Sequence, residues 1–108
     1  MTKRLTVIDF FCGAGGFSEG FHRAGFDVIM GIDNWQPAIT THNANHGLND
    51  AVRDILDFED INEINKLPDS DVIVGSPPCV LFSLSNRGGN ANKDLGVRLI
   101  IAFYRVVA

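Results

Sequence analysis

Residues 5–16 read LTVIDFFCGAGG, and this stretch decides the fold of the chain. The run from Leu5 to Phe11 is rich in β-branched and aromatic residues, which is typical of a strand buried on both faces. The glycines that follow break the strand. Beyond them the spacing predicts a helix from about residue 17 to residue 24, with one face formed by Phe17, Gly20, Phe21 and Ala24. A strand, a glycine turn and a helix in this order begin a parallel βαβ unit.

The alternation of strands and helices continues along the chain. Gly25 closes the first helix, as a C-terminal glycine commonly does. Residues 83–94 are polar and glycine-rich, which predicts a mobile loop. The remaining patterns predict, in chain order, a strand at 26–32, a helix at about 37–46 that stops at Gly47, a weak strand at 51–53, a short helix around 58–67, a strand at 71–74 and a helix from Leu95 onward. The predicted class is α/β, with a doubly wound, Rossmann-like parallel sheet over residues 1–108.

Composition restricts the classes of function. The chain has 108 residues, 45% of them apolar and 20% charged, which suits one small globular domain. A formal net charge of −4 argues against a basic nucleic-acid clamp. The sequence shows no signal peptide and no membrane span, and Cys12 and Cys79 form neither a disulfide framework nor a metal-ligand pattern. We therefore expect a cytoplasmic protein without a metal site.

A cofactor site is predicted at the glycine turn. Residues 13–18 match G-x-G-x-x-G at the first two glycines, with Ser18 in the third place. Asp33 follows Gly15 by eighteen positions, at the end of the next predicted strand. A carboxylate there accepts hydrogen bonds from ribose hydroxyls. The two features indicate a nucleoside-containing cofactor, and the spacing leaves open a dinucleotide or S-adenosylmethionine.

Other polar and aromatic residues near the predicted sheet edge allow two interpretations each. Asp54 could reach an adenine amino group or cap the following helix. Asp9 could orient the glycine loop or accept local N–H groups, and Phe17 could cover a cofactor or pack in the core. The three histidines, His22, His42 and His46, have no partner pattern and are interpreted as surface or satisfied residues.

A proline–cysteine loop follows the strand predicted at 71–74. Pro77 and Pro78 have no backbone N–H to donate, so neither a strand nor a helix is expected to continue through them. Cys79 comes next, either as a reactive thiol or as a small buried apolar residue. No histidine or lysine lies close in sequence to act as its base, which argues against a cysteine protease.

The two motifs together resemble those of the DNA (cytosine-5) methyltransferases. Residues 9–18, DFFCGAGGFS, are similar to the first motif of that family, and residues 75–83, GSPPCVLFS, to its catalytic motif. The resemblance covers nearly the whole chain but only the N-terminal part of a family member. It implies that Cys79 attacks C6 of a flipped-out cytosine in DNA and that S-adenosylmethionine donates the methyl group.

The resemblance also implies which residues form the site. Those that would bind the cofactor are Asp9, Phe10, Gly13, Ala14, Gly15, Gly16, Phe17, Asp33, Asn34, Trp35, Asp54, Ile55, Pro78 and Leu99. Those that would approach the DNA substrate are Ser76, Pro77 and Ser83, beside the nucleophile Cys79.

Several positions depart from the family pattern. Val80 stands where a glutamine usually follows the nucleophile, Asn34 separates Asp33 from Trp35, and Gly96 stands where an arginine is common. The later family motifs and the target-recognition region are absent from the sequence, so we expect a fragment or a split subunit. Its last strand would have a bare edge, which predicts self-association or a complementing chain. The alternatives are a NAD-dependent oxidoreductase module and an inactive methyltransferase remnant.

Overall fold

A computed structural model of the chain describes residues 4–13, 15–76 and 90–107, with the side chains of residues 90–94 left out. Three parallel strands form one sheet: β1 (Thr6–Phe10), β2 (Asp27–Ile32) and β3 (Val72–Gly75). The strand order is β2-β1-β3, so β1 lies in the centre. The α/β class and the Rossmann-like parallel sheet predicted from the sequence are confirmed.

Two of the predicted helices lie where the sequence placed them. Helix α1 covers Gly16–Arg23, and the chain leaves it through Gly25 at a φ of 94°. Helix α2 covers Gln36–His46 and ends at Gly47, whose φ is 66°. Both glycines adopt the left-handed conformation that other residues rarely take, which explains why the helices stop there.

The segment predicted as one short helix around residues 58–67 forms two. A 3₁₀ helix covers Ile55–Glu59, and helix α3 covers Ile61–Asn65. Asp60 separates them because its carboxylate accepts a hydrogen bond from the Asn62 N–H at 2.9 Å and starts the second helix. Helix α4 covers Asn90–Val107, so it begins five residues before the predicted Leu95. The loop predicted at 83–94 was therefore wrong for residues 90–94, which are helical, and residues 83–89 lie outside the described part.

The weak strand predicted at residues 51–53 was wrong, because the structure has no strand there. A new strand beside β2 would need the backbone groups on the outer edge of β2. Asp50 occupies one of these groups, since its carboxylate accepts the Gly31 N–H at 2.9 Å. Arg53 makes a single backbone bond, from its N–H to the Asp33 carbonyl at 3.0 Å, beyond the end of β2.

Helices cover both faces of the sheet. On one face, Ile8 and Phe10 of β1 pack with Ile32, the 3₁₀ helix and α4 in the apolar core. The rings of Phe10 and Phe58 meet edge to face, with 5.7 Å between their centroids. On the other face, helices α1 and α2 cover Asp9. The successive side chains of β1 thus alternate between the two faces, and Asp9 is the buried polar residue on the face that it shares with Val7.

Part of the described surface is apolar. In the described residues, β3 pairs with β1 alone, so its other edge is bare. Helix α4 exposes Val97, Ile101, Tyr104 and Val107. These positions recur at helical spacing and lie away from the buried Ala102 and Val106. No helix in the described ranges has the length and hydropathy needed to cross a membrane.

Candidate cofactor site

A pocket of about 260 Å³ opens at the carboxyl ends of the strands. Phe11 follows β1, Asp33 follows β2 and Ser76 follows β3, so each strand contributes to its wall. Among the described residues, those that line the pocket are Phe11, Ile32, Asp33, Asn34, Arg53, Asp54, Ile55, Ser76 and Leu99. Open parallel sheets bind their ligands at this edge. The structure thus brings together six of the predicted site residues, namely Asp33, Asn34, Asp54, Ile55, Ser76 and Leu99.

Asp33 is fixed at the pocket by two backbone bonds. One carboxylate oxygen, Oδ2, accepts the Gly13 N–H at 3.0 Å, and the other, Oδ1, accepts the Trp35 N–H at 3.0 Å. The first bond ties the glycine turn to the end of β2. Each carboxylate oxygen can accept a second hydrogen bond, so Asp33 retains acceptor capacity for two ligand hydroxyls.

Asp54 is the cap of the 3₁₀ helix. Its carboxylate accepts the Leu56 N–H at 2.9 Å, and the Asp57 carboxylate accepts the Asp54 N–H at 3.3 Å. This reciprocal pair is a capping box, so the helix-cap interpretation is confirmed. The contact of Asp54 with an adenine stays a prediction. Beside it, Ile55 is 4% exposed and gives the pocket an apolar wall.

Phe11 and Arg53 also line the pocket, and the sequence interpretation did not include them. Phe11 has a φ of 57°, a conformation that is rare for a bulky residue. As a result its ring, like that of Phe10, meets Phe103. In a regular strand, consecutive side chains point to opposite faces, so Phe10 and Phe11 would not meet the same ring. No local sequence signal therefore predicts that both contact Phe103.

Arg53 holds the base of the pocket through three contacts. Its N–H reaches the Asp33 carbonyl, its guanidinium lies 4.5 Å from the centroid of the Phe58 ring, and its Nη2 is 2.8 Å from the Glu63 carboxylate. A cation over an aromatic face is attracted by the ring quadrupole. Arg53 therefore connects the end of β2 with both short helices.

Other predicted site residues lie away from the pocket. Asp9 and Phe10 are fully buried beneath the sheet edge, and Trp35 is 64% exposed. Gly16 and Phe17 border a separate shallow groove on the outside of α1. Gly15 is buried in the turn, and Gly13 contacts the site through Asp33. Five predicted residues lie outside the described part, namely Ala14, Pro77, Pro78, Cys79 and Ser83.

Cys12 is unsuited to nucleophilic chemistry. It is 6% exposed, and burial, reinforced by the charges of Asp9 and Asp33, raises the pKa of its thiol to about 12. The reactive form of cysteine is the thiolate, which such a pKa suppresses at neutral pH. The role of Cys12 is therefore packing at the end of β1.

The histidines follow the sequence interpretation in part. His22 is exposed, whereas His42 is fully buried and its Nε2 lies 2.7 Å from the Ser18 hydroxyl. The interpretation as satisfied residues was wrong for His42 Nδ1 and His46 Nε2, which are buried without a hydrogen-bond partner in the described part of the chain. Burial lowers the pKa of His42, which favours the neutral imidazole. In the described part of the chain, histidine, cysteine and carboxylate side chains form no cluster suited to a metal ion.

The architecture defines an α/β protein with a ligand pocket at the carboxyl ends of its strands. A profile of the C-5 cytosine-specific DNA methylase family matches residues 5–108. The chain belongs to this family.

Individual proteins agree with that assignment. The type II methyltransferase M.HgiGI of Herpetosiphon aurantiacus is 35% identical over 106 residues, which are 95% of this chain and 80% of that protein. M.HgiDI of the same organism is 34% identical over 95% of this chain and 33% of its own length. A crystal structure described as a DNA modification methyltransferase encoded within an E. coli prophage superposes with a TM-score of 0.66 at 37% identity, over 95% of this chain and 28% of that one. The chain thus spans most of one relative and about a third of the others.

Proposed function

We propose that the chain is the cofactor-binding and nucleophile-bearing part of a DNA (cytosine-5-)-methyltransferase that uses S-adenosylmethionine. The observation that carries the proposal is that Ser76, three residues before Cys79 in the sequence, lines the same pocket as Asp33. The predicted nucleophile is therefore only three residues along the chain from a residue that lines the predicted cofactor site. Family membership supports the same reaction.

The described residues fit S-adenosylmethionine. Asp33 retains acceptor positions for two ribose hydroxyls, and Phe11, Ile55 and Leu99 offer apolar surface to a purine ring. Asp54 stands beside Ile55, where a carboxylate can accept a hydrogen bond from an adenine amino group. When bound, S-adenosylmethionine supplies an electrophilic methyl group on a sulfonium.

The chemistry on DNA is assigned to Cys79. Its thiolate adds to C6 of a cytosine flipped out of the duplex, which makes C5 electron-rich and able to take the methyl group. Loss of the C5 proton and departure of the thiolate from C6 restore the aromatic ring. The complete enzyme would act on DNA in the cytoplasm, in the manner of a bacterial or phage modification enzyme.

A covalent trap tests this proposal. A fluorine at C5 cannot leave as a proton does, so 5-fluorocytosine DNA should hold the enzyme at the Cys79 adduct. The chain is combined with the part of M.HgiDI that follows the matched region, and S-adenosylmethionine and the DNA are added. We expect a protein–DNA band that resists denaturation and is absent in Cys79→Ala.

Cys12→Ala is the matched control for this trap, because Cys12 is a buried thiol with a raised pKa. It should retain the band. An adduct that survives in Cys79→Ala would contradict the assignment of the nucleophile. A wild-type chain that binds the cofactor but forms no adduct would support the inactive remnant, for which Val80 and Gly96 are the sequence grounds.

We also propose that the bare edge of β3 and the exposed stripe of α4 pair with further polypeptide, either a second copy or a complementing chain. The stripe consists of Val97, Ile101, Tyr104 and Val107, each at least 49% exposed. When a helix carries apolar residues on two opposite sides, both sides are typically covered by other parts of a protein. Unpaired strand edges likewise favour pairing with another chain.

Sedimentation of the chain at increasing concentration tests this pairing. We expect association that weakens in Ile101→Glu, because a charge in the stripe would have to be desolvated at the interface. Thr40→Glu, on the exposed side of α2, is the control and should associate like the wild type. A monomer at high concentration that also fails to bind the complementing M.HgiDI segment would contradict the proposal.

A further inference from the structure

Three buried polar side chains connect the central strand with two helices. Asp9 lies on β1, Ser18 on α1 and His42 on α2, and all three are fully buried. The Ser18 hydroxyl lies 2.7 Å from Asp9 Oδ2 and 2.7 Å from His42 Nε2. These distances are those of short, well-formed hydrogen bonds.

The hydroxyl of Ser18 bonds to both neighbours, whereas their other polar atoms, Asp9 Oδ1 and His42 Nδ1, are buried without a hydrogen-bond partner in the described part of the chain. It has one proton to donate and lone pairs with which to accept. When Asp9 is ionised, Ser18 donates to the carboxylate and accepts the Nε2–H of His42. When Asp9 is protonated, both bonds reverse in direction and remain formed if His42 is neutral with its proton on Nδ1. A single hydroxyl therefore bridges the strand and α2 in either protonation state of Asp9.

The ring of His42 also packs directly against Gly31 and the glycine turn. A Cβ built on Gly31 of β2 would lie 2.5 Å from His42 Nδ1, and one built on Gly15 would lie 3.1 Å from His42 Cδ2. A side chain at Gly31 would clash with the ring, and one at Gly15 would crowd it and be strained by a φ of 106°. His42 thus contacts both the glycine turn and the strand that leads to Asp33.

The glycine turn has few anchors of its own. Gly15 is the N-cap of α1 with a φ of 106°, and no side chain caps this helix. Within the described residues, the turn is held by the Gly15 N–H to the Cys12 carbonyl at 2.9 Å and by the Gly13 N–H to Asp33. Ser18, in the first turn of α1, is the nearest side chain that ties the helix to the strand.

We propose that Asp9, Ser18 and His42 are positioning residues that hold the glycine turn in the shape that receives the cofactor. This inference rests on the proposed function. In a dinucleotide-binding turn the third glycine permits close contact between helix and strand. Here the hydroxyl of Ser18 makes that contact through a hydrogen bond. A turn held in this way loses less entropy when a ligand binds.

Amide hydrogen exchange in the ligand-free chain tests the positioning role without any cofactor. Ser18→Ala removes the bridging hydroxyl, and His42→Phe keeps a ring of similar shape without the nitrogen. Each should speed the exchange of the Gly15 and Gly16 amides about tenfold relative to those of β1, because each removes a buried hydrogen bond that ties α1 to its neighbours. Each should also weaken S-adenosylmethionine binding about tenfold.

Two controls separate positioning from general destabilisation. Val106→Ala lies in the core on the opposite face of the sheet, outside the pocket lining, and should lower stability with little effect on glycine exchange or cofactor affinity. Gly20→Ala, on an open side of α1, should behave like the wild type. If both network variants leave the exchange of Gly15 and Gly16 unchanged, or if Val106→Ala speeds it equally, the positioning role is overturned. A wild-type chain that binds no S-adenosylmethionine would instead contradict the proposed function.

Discussion

Phe58→Ala is expected to lower the free energy of unfolding by about 3–5 kcal/mol. Phe58 is fully buried, meets Phe10 edge to face and lies under the Arg53 guanidinium. Truncation would leave a cavity between the 3₁₀ helix, β1 and α4. Because small domains are stable by only about 5–15 kcal/mol, this one change should remove much of the total. Urea unfolding followed by circular dichroism measures it.

Phe17→Ala is the matched control, since it removes the same atoms from a phenylalanine that is 56% exposed. Exposed substitutions of this kind usually change stability by about 0.5 kcal/mol or less. If both variants unfold at the same urea concentration, the core on the α4 face is not packed as described.

Asp33→Ala is expected to weaken S-adenosylmethionine binding at least about a hundredfold. The change removes the acceptor for two ribose hydroxyls, and hydrogen bonds to a charged group contribute roughly 1.5–3 kcal/mol each. It also releases the Gly13 N–H and the Trp35 N–H, which loosens the glycine turn. Calorimetric titration of the variant beside the wild type measures the loss.

Asp33→Asn refines this test. An amide keeps one acceptor oxygen, so only one of the two backbone N–H groups can retain its bond. Affinity should therefore fall between those of the wild type and Asp33→Ala. Asp27→Asn, at the opposite end of β2, is the control and should bind like the wild type. Equal binding by all variants would remove Asp33 from the cofactor site.

Local signals in the sequence predicted most of the fold. Gly25 and Gly47 marked helix ends correctly because a left-handed residue is a local requirement. The strand predicted at residues 51–53 failed because the outer edge of β2 is engaged by the side chain of Asp50, nineteen residues from Gly31. A contact over that separation leaves no mark in a short window of sequence.

The candidate pocket was predicted less completely, since six of the predicted site residues line it and several others lie away from it. Asp33 was identified by its distance from the glycine turn, which reflects a fixed βαβ geometry. The bridge through Ser18 was missed because its partners lie nine and twenty-four residues away and meet only when α1 and α2 pack on the sheet. Phe11 was missed because its positive φ breaks the alternation from which its direction would be inferred.

The pocket at the carboxyl ends of the strands is proposed to bind S-adenosylmethionine. A calorimetric titration of the wild-type chain with S-adenosylmethionine, and with NAD in parallel, tests this binding most directly. We predict saturable binding of S-adenosylmethionine at one site per chain and no binding of NAD. Saturable binding of NAD without binding of S-adenosylmethionine would contradict the account and favour a dinucleotide-dependent oxidoreductase.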